Sequence, residues 1–338
     1  LKIALDAMGG DHAPREIVRG AWNLCRETGQ KVILVGDQEI INKELELLES
    51  CQGLEVAHAP EVISMDEAPA TAVRRKKNAS IVIAAELVRS GEASALVSAG
   101  STGATMAAAL LRLGRIKGID RPAIASVLPV EQGTTVLLDV GANVDCKPKN
   151  LLQFAIMGSL YAHKILGLPT PKVGLINIGE ESSKGNELTL GAYPLLSNSG
   201  LNFYGNIEGR DVFHGSVDVA VCDGFVGNVV LKTGEGLAAA LMNMIKKELQ
   251  QSGLARLGAV LSLPALKNLK RRLDYSEYGG APLLGVNGVA IVCHGSSKEH
   301  AIKNALIRAK ESVDTGLINA ISASLVGQAR EVDIANEC

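Results

Sequence analysis

The chain has 338 residues, 47% of them hydrophobic and 3% aromatic, with 36 glycines and a formal net charge of −2. That length and apolar content suffice for a large core, in one catalytic unit spanning 1–338 or in two closely joined lobes. The near-neutral balance excludes the positive field of a nucleic-acid binder, and every apolar stretch is broken before the roughly 20 residues a membrane span needs.

Leu1 leads straight into a buried strand at 2–6 (KIALD), so no export leader is expected. The strand runs out into Asp6-Ala7-Met8-Gly9-Gly10-Asp11-His12-Ala13-Pro14. In open α/β sheets ligands bind beyond the carboxyl ends of strands, so Asp6, Gly9, Gly10 and His12 are candidate binding residues. The dinucleotide spacing GxGxxG is missing, which leaves a nicotinamide site unsupported, and a tight structural turn is the competing reading. A helix is expected at 14–28, a strand at 31–36 and a helix over 66–90. Arg74, Arg75, Lys76 and Lys77 form the densest basic run, either a solvated helix end or a dock for an acidic partner.

The strand at 95–98 ends in Gly100-Ser101-Thr102-Gly103 before a helix at 101–114. Small residues, two hydroxyls and a helix start suit an oxyanion or phosphate, although no GK[ST] of a P-loop follows. An ordinary helix cap is the alternative. The strand at 134–140 leads to Gly141-Ala142-Asn143-Val144-Asp145-Cys146, where Asn143 offers an amide and Cys146 lacks a local base to make it a nucleophile. A helix at 148–166 and a strand at 172–178 follow, then Gly179-Glu180-Glu181-Ser182-Ser183-Lys184-Gly185-Asn186. Lys184 is a compact cation among small residues, a candidate phosphate partner, with Asn186 beside it. A helix is expected at 186–198 and a strand at 217–222, which ends in Asp223-Gly224-Phe225-Val226-Gly227-Asn228. Asp223, Gly224 and Asn228 offer a further polar loop, against the alternative of an Asx turn.

The helix expected at 226–251 carries Leu237, Leu241, Ile245 and Leu249 at i,i+4 spacing, which predicts core packing. In 254–273, Leu254, Leu257 and Leu261 share one face, Pro264 interrupts, and Lys267, Lys270, Arg271 and Arg272 surround the second half. Such an amphipathic basic hairpin either packs on the body or lies on an anionic lipid surface. A strand at 289–293 and a helix at 298–312 complete the alternation, which predicts an open, mostly parallel sheet with helices on both faces. The cysteines at 25, 51, 146, 222, 293 and 338 form no CxxC pair; they are expected as thiols in a reducing compartment, and no metal is expected.

At these loops the chain resembles the phosphate acyltransferase family of bacterial phospholipid synthesis. The matching stretches are ALDAMGGDHAP, SAGSTGATMA, LLDVGANVDCKP, NIGEESSKGNE, VCDGFVGNVVLK and NGVAIVCHGSS, spread from residue 4 to residue 297. The resemblance implies transfer of a long fatty acyl group from acyl carrier protein to inorganic phosphate, without cofactor or metal. It implies a fold of the isocitrate/isopropylmalate dehydrogenase group, a homodimer, a cytoplasmic location and peripheral association with the inner face of the cell membrane. A glycerol-3-phosphate acyltransferase would take the product. Lys184, Asp223, Asn143 and Asn228 are then the candidate catalytic groups, because a phosphate attacking a thioester needs positioning and charge stabilisation rather than a Ser-His-Asp triad. A short-chain acyl-coenzyme A enzyme of the same fold and a non-enzymatic lipid-surface protein are the alternatives.

Overall fold

The structure is a computed structural model that describes residues 1–273 and 275–324, with Lys270, Leu273, Tyr275 and Ser276 described by backbone alone. Cys338 lies outside the described residues. The chain forms β1 (Lys2–Asp6), α1 (Arg15–Thr28), β2 (Lys31–Gly36), α2 (Gln38–Glu46), β3 (Leu54–His58), α3 (Pro69–Arg75), α4 (Ser80–Ser90), β4 (Ala95–Ser98) and α5 (Thr102–Arg112). There follow β5 (Ala123–Pro129), β6 (Thr134–Leu138), α6 (Pro148–Leu166), β7 (Val173–Ile176), α7 (Glu187–Ser197), β8 (Phe203–Ile207), α8 (Gly209–His214), β9 (Val219–Val221) and α9 (Gly224–Leu249). The chain continues through α10 (Gly253–Leu261), α11 (Leu263–Leu273), β10 (Ala281–Leu284), β11 (Val289–Val292) and α12 (Glu299–Asp314).

The strands form one sheet in the order β3-β2-β1-β4-β11-β10-β5-β6-β9-β7-β8. β3, β2, β1, β4 and β11 pair in parallel, as do β6, β9, β7 and β8. Between these runs β10 is antiparallel to both β11 and β5, and β5 is antiparallel to β6. The sheet is therefore mixed, and its two parallel runs have opposite sense. Val292, at the end of β11, pairs with Ala281, while Leu138, at the end of β6, pairs with Ala125. Leu283 of β10 pairs with Ile124 of β5. Carboxyl ends from the two runs thus stop close to one level in the middle of the sheet.

Three apolar clusters cover the faces. One lies under α4, α5 and the start of α9 on a face shared by both runs. α6 and α7 cover the opposite face of the second run, and α1 and α12 that of the first. Covering both faces explains why β1, β2, β4, β7 and β11 read as near-continuous apolar runs.

Several expectations are corrected. β3, β5, β8 and β10 are strands that the alternation did not predict. β3 and β8 are edges with mixed burial, and β5 and β10 contain proline. The single helix expected over 66–90 is two, because the chain leaves helical geometry at Lys76. The helical run over 254–273 does divide at Pro264: α10 ends at Leu261, and the proline sits in the first turn of α11, where its missing N–H costs nothing. The stripe Leu237, Leu241, Ile245 does not pack into the core: all three side chains are exposed. Cys25 and Cys51 are not thiols but a disulfide joining positions 26 apart in sequence. The segment after α2 returns to the end of α1, a proximity that cysteine spacing alone does not reveal. Cys146, Cys222 and Cys293 are free.

Candidate active site

The first wall is built by the loops after β1, β4 and β11. Asp6 is buried; its carboxylate accepts a hydrogen bond from Ser98 Oγ at 2.8 Å and one from the Met8 N–H at 3.2 Å. Burial pushes its carboxyl up from the usual range, while hydrogen bonds from Ser80 and Ser98 oppose that shift. It ties two loops together. A Cβ on Gly9 would lie 2.7 Å from the Gly100 backbone nitrogen and 2.6 Å from Asp6 Oδ2. Gly10 has φ +107°, and its neighbour Asp11 donates its N–H to the carbonyl of Gly295. These glycines let three loops touch. His12 is exposed at the start of the turn into α1.

Ser101 caps α5: its hydroxyl accepts from the Ala104 N–H, and its carbonyl accepts from the N–H and the hydroxyl of Thr105. Gly103 is small because α3 packs there; a Cβ would lie 2.6 Å from Pro69 Cγ. That reason is separate from the ligand contact its motif suggests. Among the described residues no hydrogen bond engages the N–H groups of Thr102 or Gly103.

The second wall rests on Asp139, which sequence reading passed over. It is fully buried at the end of β6. Its Oδ1 accepts from the N–H groups of Ile124 and Ala142, and its Oδ2 from the N–H and side-chain amide of Asn143. Burial raises its carboxyl, and those bonds pull the other way. Asn143 gives its other amide proton to the carbonyl of Pro122 at 2.7 Å. Both its amide protons are thus used inside the wall, and it is not free to donate to a substrate as predicted. A Cβ on Gly224 would lie 2.7 Å from the Asn143 carbonyl, and one on Gly227 would lie 1.9 Å from that of Asp139. The start of α9 is pressed onto this loop. Asp223 caps that helix, its Oδ1 accepting from the N–H groups of Phe225 and Val226 at 2.9 Å. Cys146 is no activated nucleophile, since burial and then the charges of Asp139 and Asp223 push its thiol up to about 11.

Between the walls lies a cleft of about 410 Å³. Its polar lining includes Thr102, Ser126, Asn228, Lys232, Glu235, Tyr278 and His294, set among Ile124, Val127, Val140, Val144, Phe225, Leu231 and Val292. Of the residues singled out in the sequence, the structure brings together Thr102, Gly224 and Asn228. Gly141 lies beside Asn228, with φ +133°. Asp6, Gly9, Gly100 and Ser101 line a second, much smaller pocket of about 10 Å³. Lys184 and Asn186 stand outside the cleft lining, beyond the end of β7; Asn186 caps α7 by accepting from the Thr189 N–H at 3.0 Å. Ser126, on β5, and Tyr278, in a short 3-10 turn at Tyr275–Tyr278, were missed because the sequence predicted neither element. Lys232 and Glu235 had a signal: with Phe225 and Asn228 they keep a 3-4-3 spacing, one helix face.

At the surface, Lys76 is not an open docking cation: its ammonium bonds Glu67 Oε1 at 2.6 Å and the Val62 carbonyl at 2.9 Å. That hydrogen bond from Lys76, first, takes the Glu67 carboxyl down to about 2. Arg74, Arg75 and Lys77 are exposed. On α10, Leu254 and Leu261 are 85% and 77% exposed, and Leu257 is exposed with them. Lys267 and Arg271 are exposed on α11, and the side chain of Lys270 lies outside the described residues. Arg272 turns back, its guanidinium donating to the Glu131 carbonyl at 3.4 Å, and its own carbonyl accepts from Tyr278 Oη at 2.9 Å. No described helix is long and apolar enough to cross a membrane.

A family model described as "Fatty acid synthesis protein" matches residues 1–320. A phosphate acyltransferase from Pelotomaculum thermopropionicum is 64% identical over 325 residues, covering 96% of this chain and 95% of that protein. Among solved structures, a phosphotransacetylase from Streptococcus pyogenes superposes with a TM-score of 0.64 at 20% identity, over 93% of this chain and 94% of its own. A 4-hydroxythreonine-4-phosphate dehydrogenase from Klebsiella pneumoniae does so with a TM-score of 0.53 at 14% identity, over 91% and 98%. At such identities the structural likeness concerns the fold alone.

Proposed function

The chain belongs to the phosphate acyltransferase family, and on that premise we propose that it moves a long fatty acyl group from acyl carrier protein to inorganic phosphate. Transfer of acyl groups to phosphate in phospholipid synthesis is the family's activity, and the chain is an enzyme of that kind. A phosphate oxygen attacks the thioester carbonyl carbon. The C–O bond forms, the C–S bond breaks, and the sulfur leaves as thiolate and takes a proton to give free carrier protein. The observation that carries this reading is the central cleft, where polar residues from both parallel runs converge between apolar walls. Such a site holds two reactants together and keeps water from the acyl phosphate.

Within it, Thr102 and the start of α5 are assigned to phosphate and Asn228 to the carbonyl oxygen that gains charge. Asp223 holds the start of α9 in place for Asn228. Lys184 and Asn186, on the same sheet edge as Asp223, serve the approach of phosphate. We assign the fold to the isocitrate/isopropylmalate dehydrogenase group, a reading supported by the likeness to the Klebsiella dehydrogenase. The enzyme works as a homodimer in the cytoplasm, with α10 and the basic face of α11 on the anionic inner surface of the membrane. Support comes from the exposed Leu254, Leu257 and Leu261 beside Lys267 and Arg271. An acidic carrier protein would meet Arg74, Arg75 and Lys77, and a glycerol-3-phosphate acyltransferase would use the product.

The test incubates the purified chain with palmitoyl-acyl carrier protein, with and without phosphate, traps acyl phosphate with hydroxylamine and identifies it by mass. Phosphate-dependent product with release of free carrier protein is expected. Turnover with short acyl-coenzyme A alone would move the substrate to the sister activity.

A further inference from the structure

Few charged side chains line the cleft. Among the described residues that line it, Lys232 is the one lysine or arginine. It sits on α9 one turn beyond Asn228, and Glu235 follows three residues later, so amide, ammonium and carboxylate share the helix face that begins with Phe225. The ammonium is held 2.8 Å from Glu235 Oε2, and the Lys232 side chain is 49% exposed. A pair so open to water contributes little, so a doubly charged oxyanion can draw the ammonium away from Glu235. Thr102, at the start of α5, lines the same cleft, with its N–H and that of Gly103 unengaged among the described residues. The corresponding N–H groups of α9 are already taken, by Asp223 and by the Asn143 carbonyl. The cleft therefore has unengaged N–H donors at the start of α5 and, among the described residues that line it, one lysine, Lys232, whereas Lys184 lies outside its lining.

From this arrangement we propose that Lys232 binds the phosphate nucleophile in the cleft, together with Thr102, and that Glu235 is the resting partner of the ammonium, which gives it up when phosphate enters. The assignment rests on the phosphate acyltransferase reading and gives the cleft the cation that reading requires. Lysine acts here as a point charge on a flexible stem. It can follow the phosphate as a P–O oxygen closes on the carbonyl carbon, and it lowers the repulsion between the phosphate and the carbonyl oxygen as that oxygen gains charge. Glu235 disfavours an anion that sits too deep along α9, which keeps the bound phosphate near Asn228.

The test measures phosphate KM, acyl-carrier-protein KM and kcat for the full chain and for Lys232→Ala, Lys232→Arg and Lys184→Ala. The loss of one hydrogen bond to a charged group corresponds to about a tenfold or greater change in affinity. Lys232→Ala should therefore raise phosphate KM by about tenfold or more, with carrier-protein KM unchanged. Arginine should restore part of the loss, and Lys184→Ala should move phosphate KM less than Lys232→Ala. Glu235→Gln should lower phosphate KM and flatten its dependence on salt. A folded Lys232→Ala enzyme with the phosphate KM of the parent would overturn the assignment. Thermal unfolding with added inorganic phosphate gives a readout that needs no turnover. A ligand bound to the native state raises the midpoint, so the parent should shift and Lys232→Ala should not. If the parent makes no acyl phosphate, the transfer reading fails, while equal shifts in parent and variant would still refute the lysine's role.

Discussion

The loops around the cleft and the α10–α11 arm are both rich in small and apolar residues, yet they use them in opposite ways. In the loops several glycines answer a close neighbour: Gly9 lies under Gly100, Gly224 on Asn143 and Gly227 on the Asp139 carbonyl. Their buried polar groups are joined in dense networks, with Asp139 alone accepting four N–H bonds. On the arm, Gly258 has open space where a side chain would be, and Leu254, Leu257, Val260 and Leu261 face water. The loops spend their composition on internal fit, which a site for two reactants needs. The arm leaves its apolar face exposed among the described residues. The same residue type therefore has opposite consequences in the two regions.

Glycine replacement tests that contrast most strongly. At Gly227 an added Cβ would sit 1.9 Å from the Asp139 carbonyl oxygen, which is backbone and cannot swing aside. Gly227→Ala should cost about 3 kcal/mol or more, at or beyond the upper range for overpacking. The midpoint in guanidinium should fall sharply, or soluble folded protein should be lost. At Gly258 on α10 the same change meets nothing within 4 Å and should stabilise the helix by up to about 1 kcal/mol. Equal midpoints for the two variants would break the comparison.

Removing the Asp139 carboxylate comes next. Asp139→Ala leaves the N–H groups of Ile124, Ala142 and Asn143 without their acceptor in a buried place, at about 1–3 kcal/mol for each group left unsatisfied. Relaxation and water recover part of that, so a net loss of about 3 kcal/mol is expected in denaturant unfolding. Asp139→Asn should lose less, because one oxygen can still accept. An alanine variant as stable as the parent would mean that the network is ornamental.

The sequence made the loops legible and hid what they are for. Runs such as KVILVG and ALVS declare buried strands, and the polar tips after them follow from that placement. Which tips face the ligand does not follow, because it depends on the reversal of strand sense through β5 and β10. Both contain proline, and neither was expected. The same gap turned Asn143 from an expected donor into a wall residue and concealed Asp139, whose value lies in the three residues folded around it. Lys232 was visible in the 3-4-3 spacing of α9 but carries no motif. The apolar stripe of α9 misled for a physical reason: amphipathic periodicity says that a face will be covered, not that this chain covers it.

A smaller effect separates the two regions by pH. Asp6 has a carboxyl raised by burial, so the folded state holds its proton to higher pH than the unfolded chain does. The stability that goes with the protonated form is fully present below the unfolded value, 3.8, and is lost as pH rises through the raised folded value. Asp6→Asn removes that titration. The stability of the parent should therefore fall relative to Asp6→Asn as pH rises from about 4 toward neutrality, measured as paired unfolding midpoints. A constant difference between the two across that range would show that Asp6 is not strained by its burial. No such slope is expected from substitutions on the arm.

The arm supplies the smallest effect on stability and the sharpest one on location. Leu254 and Leu257 stay largely in contact with water when the chain folds, so Leu254→Ser with Leu257→Ser should change the unfolding free energy by no more than about 0.5 kcal/mol. If the arm lies on lipid, the same pair is buried there instead, and each leucine is worth about 1.5–3 kcal/mol when fully covered. Co-sedimentation with anionic vesicles should then drop by about tenfold or more, since each 1.4 kcal/mol is a factor of ten. Turnover with soluble palmitoyl-acyl carrier protein should persist, because the cleft is lined without either residue. Unchanged vesicle binding with unchanged stability would leave the second copy of a homodimer as the cover for the arm, and the variant's sedimentation coefficient would then fall to that of a monomer.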